Sequence, residues 1–521
     1  MRVVRLVALA VLSALVLPSV ALAQVSCANP DDLCTGDPCT ITANVDVLSP
    51  CTVDFGARAL VIAAIVRVPD GGTMSLTAAS IVQHGPIDGR HVGNGAGSGA
   101  DVTLIATAGD VELRGDIDVA GTVATGSISV QASGNIHVED SLIAKPAGSN
   151  VTAIGGSVAL DAGGTIFTDQ TALIDVQAVN AAGGVVFIDG DGDVTIEGRI
   201  HAEGNPGGTV TIGSSTRFVS LDRDVRVQGF GGPGGLLMVT GETGVAVTDK
   251  QLATSDVTVG GTIQLASASA GVFLSDALYA GGPTGGQILI DAPNGTVEPR
   301  EKLDVRATTG TAGTIDIHAK RITLVKDAEA RSRSGSGGTV TLSGSQLVDL
   351  AGGDARAGGK VDGGAITLAS ASGDVRVARS SALSASGVRG NGGSLTIDAP
   401  AGALTLETKV ALVGNGTLGV GGRADVFAKT ITIARARFDA DGRVAGGDLR
   451  FEQSGIGTLF LLDGIFEARK NGTIEARATS GDLTVRGKVR AAPLGCIGLS
   501  AAGTLDTTGA STDVPVTATC P

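Results

Sequence analysis

The chain has no tryptophan, one tyrosine (Tyr279) and 2% aromatic residues in 521. Polysaccharide-cleaving enzymes usually grip sugars with aromatic rings, and stacked immunoglobulin-like domains carry more of them, so this scarcity counts against both. Cysteine is missing everywhere between Cys51 and Cys496. After the first residues no apolar run is long enough to span a bilayer, because apolar positions alternate with Thr, Ser and Asp. The last residues are small and polar, unlike a barrel-closing membrane strand. Basic clusters are absent too. Formal charge is −14 with both signs spread along the chain, which excludes nucleic acid and an anionic membrane as partners.

What is present begins with Arg2 and Arg5, an apolar run from Leu6 to Leu17, and Ala21-Leu22-Ala23. This is the pattern of a secretory signal peptide over 1–23, cleaved after Ala23. It implies an exported chain: extracellular, surface-held or periplasmic. Six cysteines, Cys27, Cys34, Cys39, Cys51, Cys496 and Cys520, cluster at the two ends. An even count in an exported chain predicts disulfides. If the ends stay apart, Cys496 pairs with Cys520, and the first four retain three possible pairings. Residues 24–56 and 496–521 are expected to be disulfide-braced caps.

Glycine makes up 80 residues and is spread evenly. Gly-Gly pairs or close equivalents recur at Gly155, Gly183, Gly207, Gly234, Gly260, Gly285, Gly337, Gly363, Gly392, Gly421 and Gly446, a period of about 26 residues. Two and four residues beyond each pair the chain is apolar: Val158 and Leu160, Val186 and Ile188, Val210 and Ile212, Leu237 and Val239. Alternation with period two predicts a short strand with one buried face. A second strand follows, often after Gly-Asp, as in Asp110-Val111-Glu112-Leu113 and Asp193-Val194-Thr195-Ile196. A third comes after a short turn, as in Ile117-Asp118-Val119, Ile200-His201-Ala202 and Val489-Arg490-Ala491.

Strands this short need partners, and coiling stacks each one on its copy a turn later. The reading is all-β: a parallel β-solenoid over 57–495, of about 16 coils and about 80 Å long at ~4.8 Å per coil. Glycine is expected at the corners for its backbone freedom. Open sheet edges at the two ends would allow end-to-end self-association. No helical periodicity, Leu-x-x-Leu-x-Leu pattern or 40-residue blade repeat is visible.

These coils, with their "GG-x-V-x-I … G-D-V-x-V … I-x-A" phrasing, resemble the right-handed parallel β-helix of pectin-lyase-like and haemagglutinin-like bacterial surface proteins. The resemblance covers the repeat region and is one of architecture. It implies an adhesin-like or structural surface protein, with surface glycans or proteins as partners. The alternative it implies is a polysaccharide lyase or hydrolase.

No catalytic constellation is evident, and the short loops leave little material for groove walls. Asp189, Asp191 and Asp193, in Asp-Gly-Asp-Gly-Asp, form the best acidic cluster and a candidate calcium site, set against a solvated turn. His84, His91, His137, His201 and His318 include no two placed to ligate from one strand, and His137 and His201 are expected to face outward. Asp140, Arg199, Asp222 and Arg226 read as surface charges, and Phe451 as an inward core residue.

Overall fold

The computed structural model describes residues 24–91, 95–148, 152–455 and 458–520. The expected signal peptide, 1–23, lies outside them. The chain forms a right-handed parallel β-helix of coils about 26 residues long. Each strand pairs in parallel with its equivalent one coil on, giving three ladders. The first face includes Asp101–Ala106, Ser127–Ala132 and Ser157–Ala162, the second Val111–Leu113, Ile136–Val138 and Ile166–Thr168. The third includes Ile117–Asp118, Leu142–Ile143 and Leu173–Asp175. Among the described residues the sole helix is a 3-10 turn at Pro30–Asp32. Among the described residues no helix is long and apolar enough to cross a membrane.

The alternating positions point inward as the pattern predicts. Leu160 stacks on Ile188, then Ile212, Val239, Leu265 and Ile290. The column ends on Val426, Phe451, Ala476 and Leu499. Phe451 is fully buried and packs with Phe438 and Phe466, ring centroids 5.1 and 5.6 Å away. Three glutamines also face inward: Gln83, Gln251 and Gln453. Burying an amide requires partners. Gln83 Nε2 donates to Gly85 O at 2.7 Å, and Gln251 Oε1 accepts from the Val225 N–H at 3.0 Å.

The paired glycines act through missing side chains, not through unusual backbone angles. Gly184, Gly208 and Gly235 do not have positive φ, contrary to the expectation for corners. A Cβ on Gly208 would lie 2.1 Å from Gly184 O, and one on Gly235 would lie 2.0 Å from Gly208 O. Adjacent coils approach too closely there for any other residue.

Aspartates before the second strands clasp the next coil. Asp110 Oδ1 accepts from the Asn135 N–H at 2.6 Å, and Asn135 Oδ1 from the Thr165 N–H at 2.8 Å. Asp374 Oδ1 accepts from the Ala403 N–H at 3.0 Å, and this bond holds its carboxyl below the usual range. At these corners the side chain replaces a carbonyl as acceptor.

Two features depart from the repeat. From Gln287–Pro299 onward several first and second strands fuse, as in Thr314–Leu324 and Ser394–Leu406, and Arg423–Asp439 runs across all three faces. Register shifts at Ala319/Arg321 and Ala434/Ala436 mark corners reduced to bulges. The parallel ladder also continues beyond 57–495. Cys39–Ile41 pairs with Leu60–Ile62, and Cys496–Ala501 with Thr473–Ala478. The disulfides are Cys27–Cys51, Cys34–Cys39 and Cys496–Cys520. Val25, Cys27 and Leu33 pack against the core at one end, and Ala510 and Val514 at the other.

Candidate functional groove

Most third strands are only two or three residues long, and toward the end of the rod they fuse with the strands before them, but their register aligns one outward side chain per coil. That line begins Asp46, Arg67, Asp88, Asp118. Further along it reads Asp175, His201, Arg226, then Tyr279, Asp304, Glu329, Arg356, and finally Asp439, Glu467, Arg490. Residues about 26 apart in sequence become neighbours about 4.8 Å apart. The loops that follow stand beside this line and turn it into a lateral groove.

Carboxylates form the groove floor and cations lie over them. Asp175, Asp304, Glu329 and Glu467 are all less than 5% exposed. Lys145 Nζ lies 2.6 Å from Asp175, and Arg226 and Arg199 lie 2.5 and 3.6 Å from Asp224. Glu329 is held by Lys302 at 2.7 Å and Arg356 at 2.9 Å. Glu467 is held by Arg437 at 2.9 Å and Arg490 at 3.0 Å. Burial alone would raise the Glu329 carboxyl, but Lys302 and Arg356 override it and hold it below the usual range.

Glu203 differs. It is 5% exposed, and burial, reinforced by Asp175 and Asp224 and opposed by Arg226, holds its carboxyl above the usual range. The adjacent His201 imidazole is held below its usual value, chiefly by burial. Its Nε2 is buried without a hydrogen-bond partner.

The groove deepens in three places. One cleft of about 530 Å³ lies among Asp46, Arg67, Asp70 and Arg90, and another of about 580 Å³ among Asp439, Asp441, Arg443 and Arg469. The central cleft, about 520 Å³, contains Tyr279, the chain's only tyrosine, with Asp304, Arg306, Arg331 and Arg333. Arg306 is occupied by Asp304 at 2.7 Å. Arg331 and Arg333 have no ion-pair partner among the described residues. The cleft therefore offers two guanidinium groups without ion-pair partners, two coils along from an aromatic ring that lines the same cleft. Such a set suits an extended ligand bearing carboxylate or sulfate groups.

The candidate calcium residues do not converge. Asp189 lies on the strand Val185–Gly190, where burial, Asp161 and Asp191 raise its carboxyl. Asp191 Oδ1 accepts from Ser215 Oγ at 2.7 Å, and Asp193 Oδ1 from the Phe218 N–H at 3.1 Å. The last two bind the next coil, so the motif serves as a turn and clasp. Among the described residues, these three do not form a group with mutually close ligand atoms.

Of the histidines, His91 Nδ1 lies 2.6 Å from Asp70 Oδ2 and His318 Nδ1 lies 2.9 Å from Asp291 Oδ1. Arg199 and Arg226 are groove residues. Asp222 accepts from Ser220 and Thr248, at 2.8 and 2.9 Å. Asp140 is raised by burial first and by Asp116 second.

Sequence reasoning missed the groove because its charges alternate in sign and never form a run. Aligning the outward residue of each third-strand triplet, as in Ile-Asp-Val, Ile-His-Ala and Val-Arg-Ala, would have found it. No family model, curated protein or solved structure matches this chain.

Proposed function

We propose that this chain is a non-catalytic, adhesin-like surface rod whose third face seats an extended anionic polysaccharide. The observation carrying this reading is the central cleft, lined by Tyr279 and by Arg331 and Arg333, which have no ion-pair partner among the described residues. The repeat supports it, because a linear polymer can follow the groove and make similar weak contacts in successive coils. Placement outside the cytoplasm is supported by three disulfides and no unpaired cysteine. On this reading residues 24–56 and 496–521 act as braced ends over the core. End-to-end association would use the last coil, where Leu505 and Val516 are exposed.

Polysaccharide cleavage is a second reading, favoured by one observation. Glu203, raised above the usual carboxylate range beside Asp175 and Asp224, has the character of a proton donor. One experiment separates the two. Purified chain is incubated with neutral, carboxylated and sulfated polysaccharides, and binding and released product are scored together. Saturable, salt-sensitive binding to acidic polymers without product supports the adhesin-like rod. Catalytic product release overturns it, and preference for neutral polymers removes the role of the arginines.

A further inference from the structure

The second face carries a group that the groove does not use. Ile136–Val138 stacks on Ile166–Thr168 with His137 over Phe167, ring centroids 5.2 Å apart. Glu139 and Asp169 follow at equivalent corners, since the Glu139 N–H donates to Leu113 O and the Asp169 N–H to Val138 O. This stacking brings a nitrogen of His137 and an oxygen from each carboxylate within 4.8 Å of one another. His137 Nε2 is 3.1 Å from Asp169 Oδ1, and Nδ1 is 3.6 Å from Glu139 Oε1. All three side chains are about one-third exposed, so an ion can enter from solvent. Among the described residues no other three such side chains meet this way.

The surroundings favour a cation. Glu197 and Asp222 continue the line of Glu139 and Asp169, because the Glu197 N–H donates to Thr168 O and the Asp222 N–H to Ile196 O. Four carboxylates thus rise through consecutive coils. The arginine beside this line, Arg114, is divided between Glu112 at 2.7 Å and Glu139 at 3.2 Å. Asp169 has only His137 as an ion-pair partner among the described residues.

We propose that His137, Glu139 and Asp169 form a binding site for a divalent transition-metal ion of the zinc type. Zinc–nitrogen and zinc–oxygen bonds of about 2.0–2.2 Å place neighbouring ligands of a tetrahedron roughly 3.4 Å apart. The 3.1 Å between His137 Nε2 and Asp169 Oδ1 is close to that value. One imidazole nitrogen, the Nε2 facing Asp169, enters coordination, and the flexible Glu139 carboxylate swings from Nδ1 to the ion. An imidazole ligand selects zinc or nickel over calcium and magnesium, which take oxygen ligands. This site is separate from the groove, so failure of the glycan reading leaves it standing.

The test is zinc titration of the untagged full chain by calorimetry, with calcium titrated in parallel. We expect one zinc per chain and no saturable calcium binding. His137→Ala and Asp169→Asn should each weaken zinc binding at least 10-fold, with unchanged circular dichroism and melting, because both side chains face outward. Glu298→Gln, at the position that continues the ladder from Phe167 through Thr195, Ser220, Ala246 and Phe273 several coils away, should bind zinc as the parent does. Absence of saturable zinc binding overturns the proposal. So does zinc binding that both site variants leave intact, or calcium binding as tight as zinc.

Discussion

Ile212→Ala paired with Thr211→Ala gives a sharp test of the inward column. Ile212 is fully buried and stacks on Ile188 in one neighbouring coil and Val239 in the other, both also fully buried. Removing its outer carbons empties space that two coils share, and neither neighbour can collapse into it without breaking register. Such truncations cost about 2–5 kcal/mol, and the two-sided stacking places Ile212 in the upper half of that range. Thr211 lies one residue away and faces outward between Phe187 and Met238, so its truncation should stay within about 0.5 kcal/mol. In a solenoid, stability is a sum of coil terms and neighbour terms, so the loss should be local as well as global. Urea unfolding gives the total. Hydrogen exchange of Val185–Gly190, Thr209–Ser214 and Leu236–Gly241 should show the loss of protection centred on the substituted coil. Equal costs for the two substitutions would refute the inward assignment. A loss spread evenly over the rod would refute the neighbour-only coupling.

Three further outcomes follow from the same geometry. Gly208→Ala should destabilise by about 1–3 kcal/mol or more, since its Cβ meets the backbone oxygens of Gly184 and Ala202. Gly213→Ala, which meets only the movable Asp189 side chain, should be mild in the same thermal melts. Glu329→Gln should cost about 1–3 kcal/mol at pH 7, below the figure for a fully buried pair because Lys302 and Arg356 are partly solvated. The Glu329 carboxyl is depressed in the fold, so its contribution is present above the unfolded value and disappears as pH falls through the folded one. The melting difference between Glu329→Gln and the parent should therefore vanish in acid. Glu203 has the opposite sign. Its raised carboxyl costs stability at neutral pH, so Glu203→Gln should raise the melting temperature at pH 7 and have no effect once pH falls below the unfolded value.

The contrast between two acidic groups explains what was legible in the chain and what was not. Val210 and Ile212, and their counterparts in every coil, could be read because alternation is local, and so could the Gly pairs and Phe451. Asp189, Asp191 and Asp193 are adjacent in sequence, yet the fold spends two of them on the next coil. His137 and Asp169 are distant in sequence, yet the ladder stacks them within 3.1 Å. Tyr279, Asp304 and Glu329 were invisible as a group for the same reason. In a solenoid the chemistry lies across coils, so proximity along the chain misleads about sites even where it reports the fold correctly. Glycine was expected at corners for its backbone freedom, whereas at Gly208 and Gly235 the reason is the close approach of neighbouring backbones, which only the stacked coils reveal.

The central functional claim rests on two guanidinium groups in the middle cleft. Its most direct test is the affinity of an acidic polysaccharide for the parent chain and for Arg331→Ala/Arg333→Ala, measured by calorimetry at fixed salt. Charge-assisted hydrogen bonds contribute about 1.5–3 kcal/mol each, so the double variant should bind at least ~10-fold more weakly, with its melting temperature unchanged because neither arginine has an ion-pair partner among the described residues. Unchanged affinity in the double variant would contradict the groove as the binding seat.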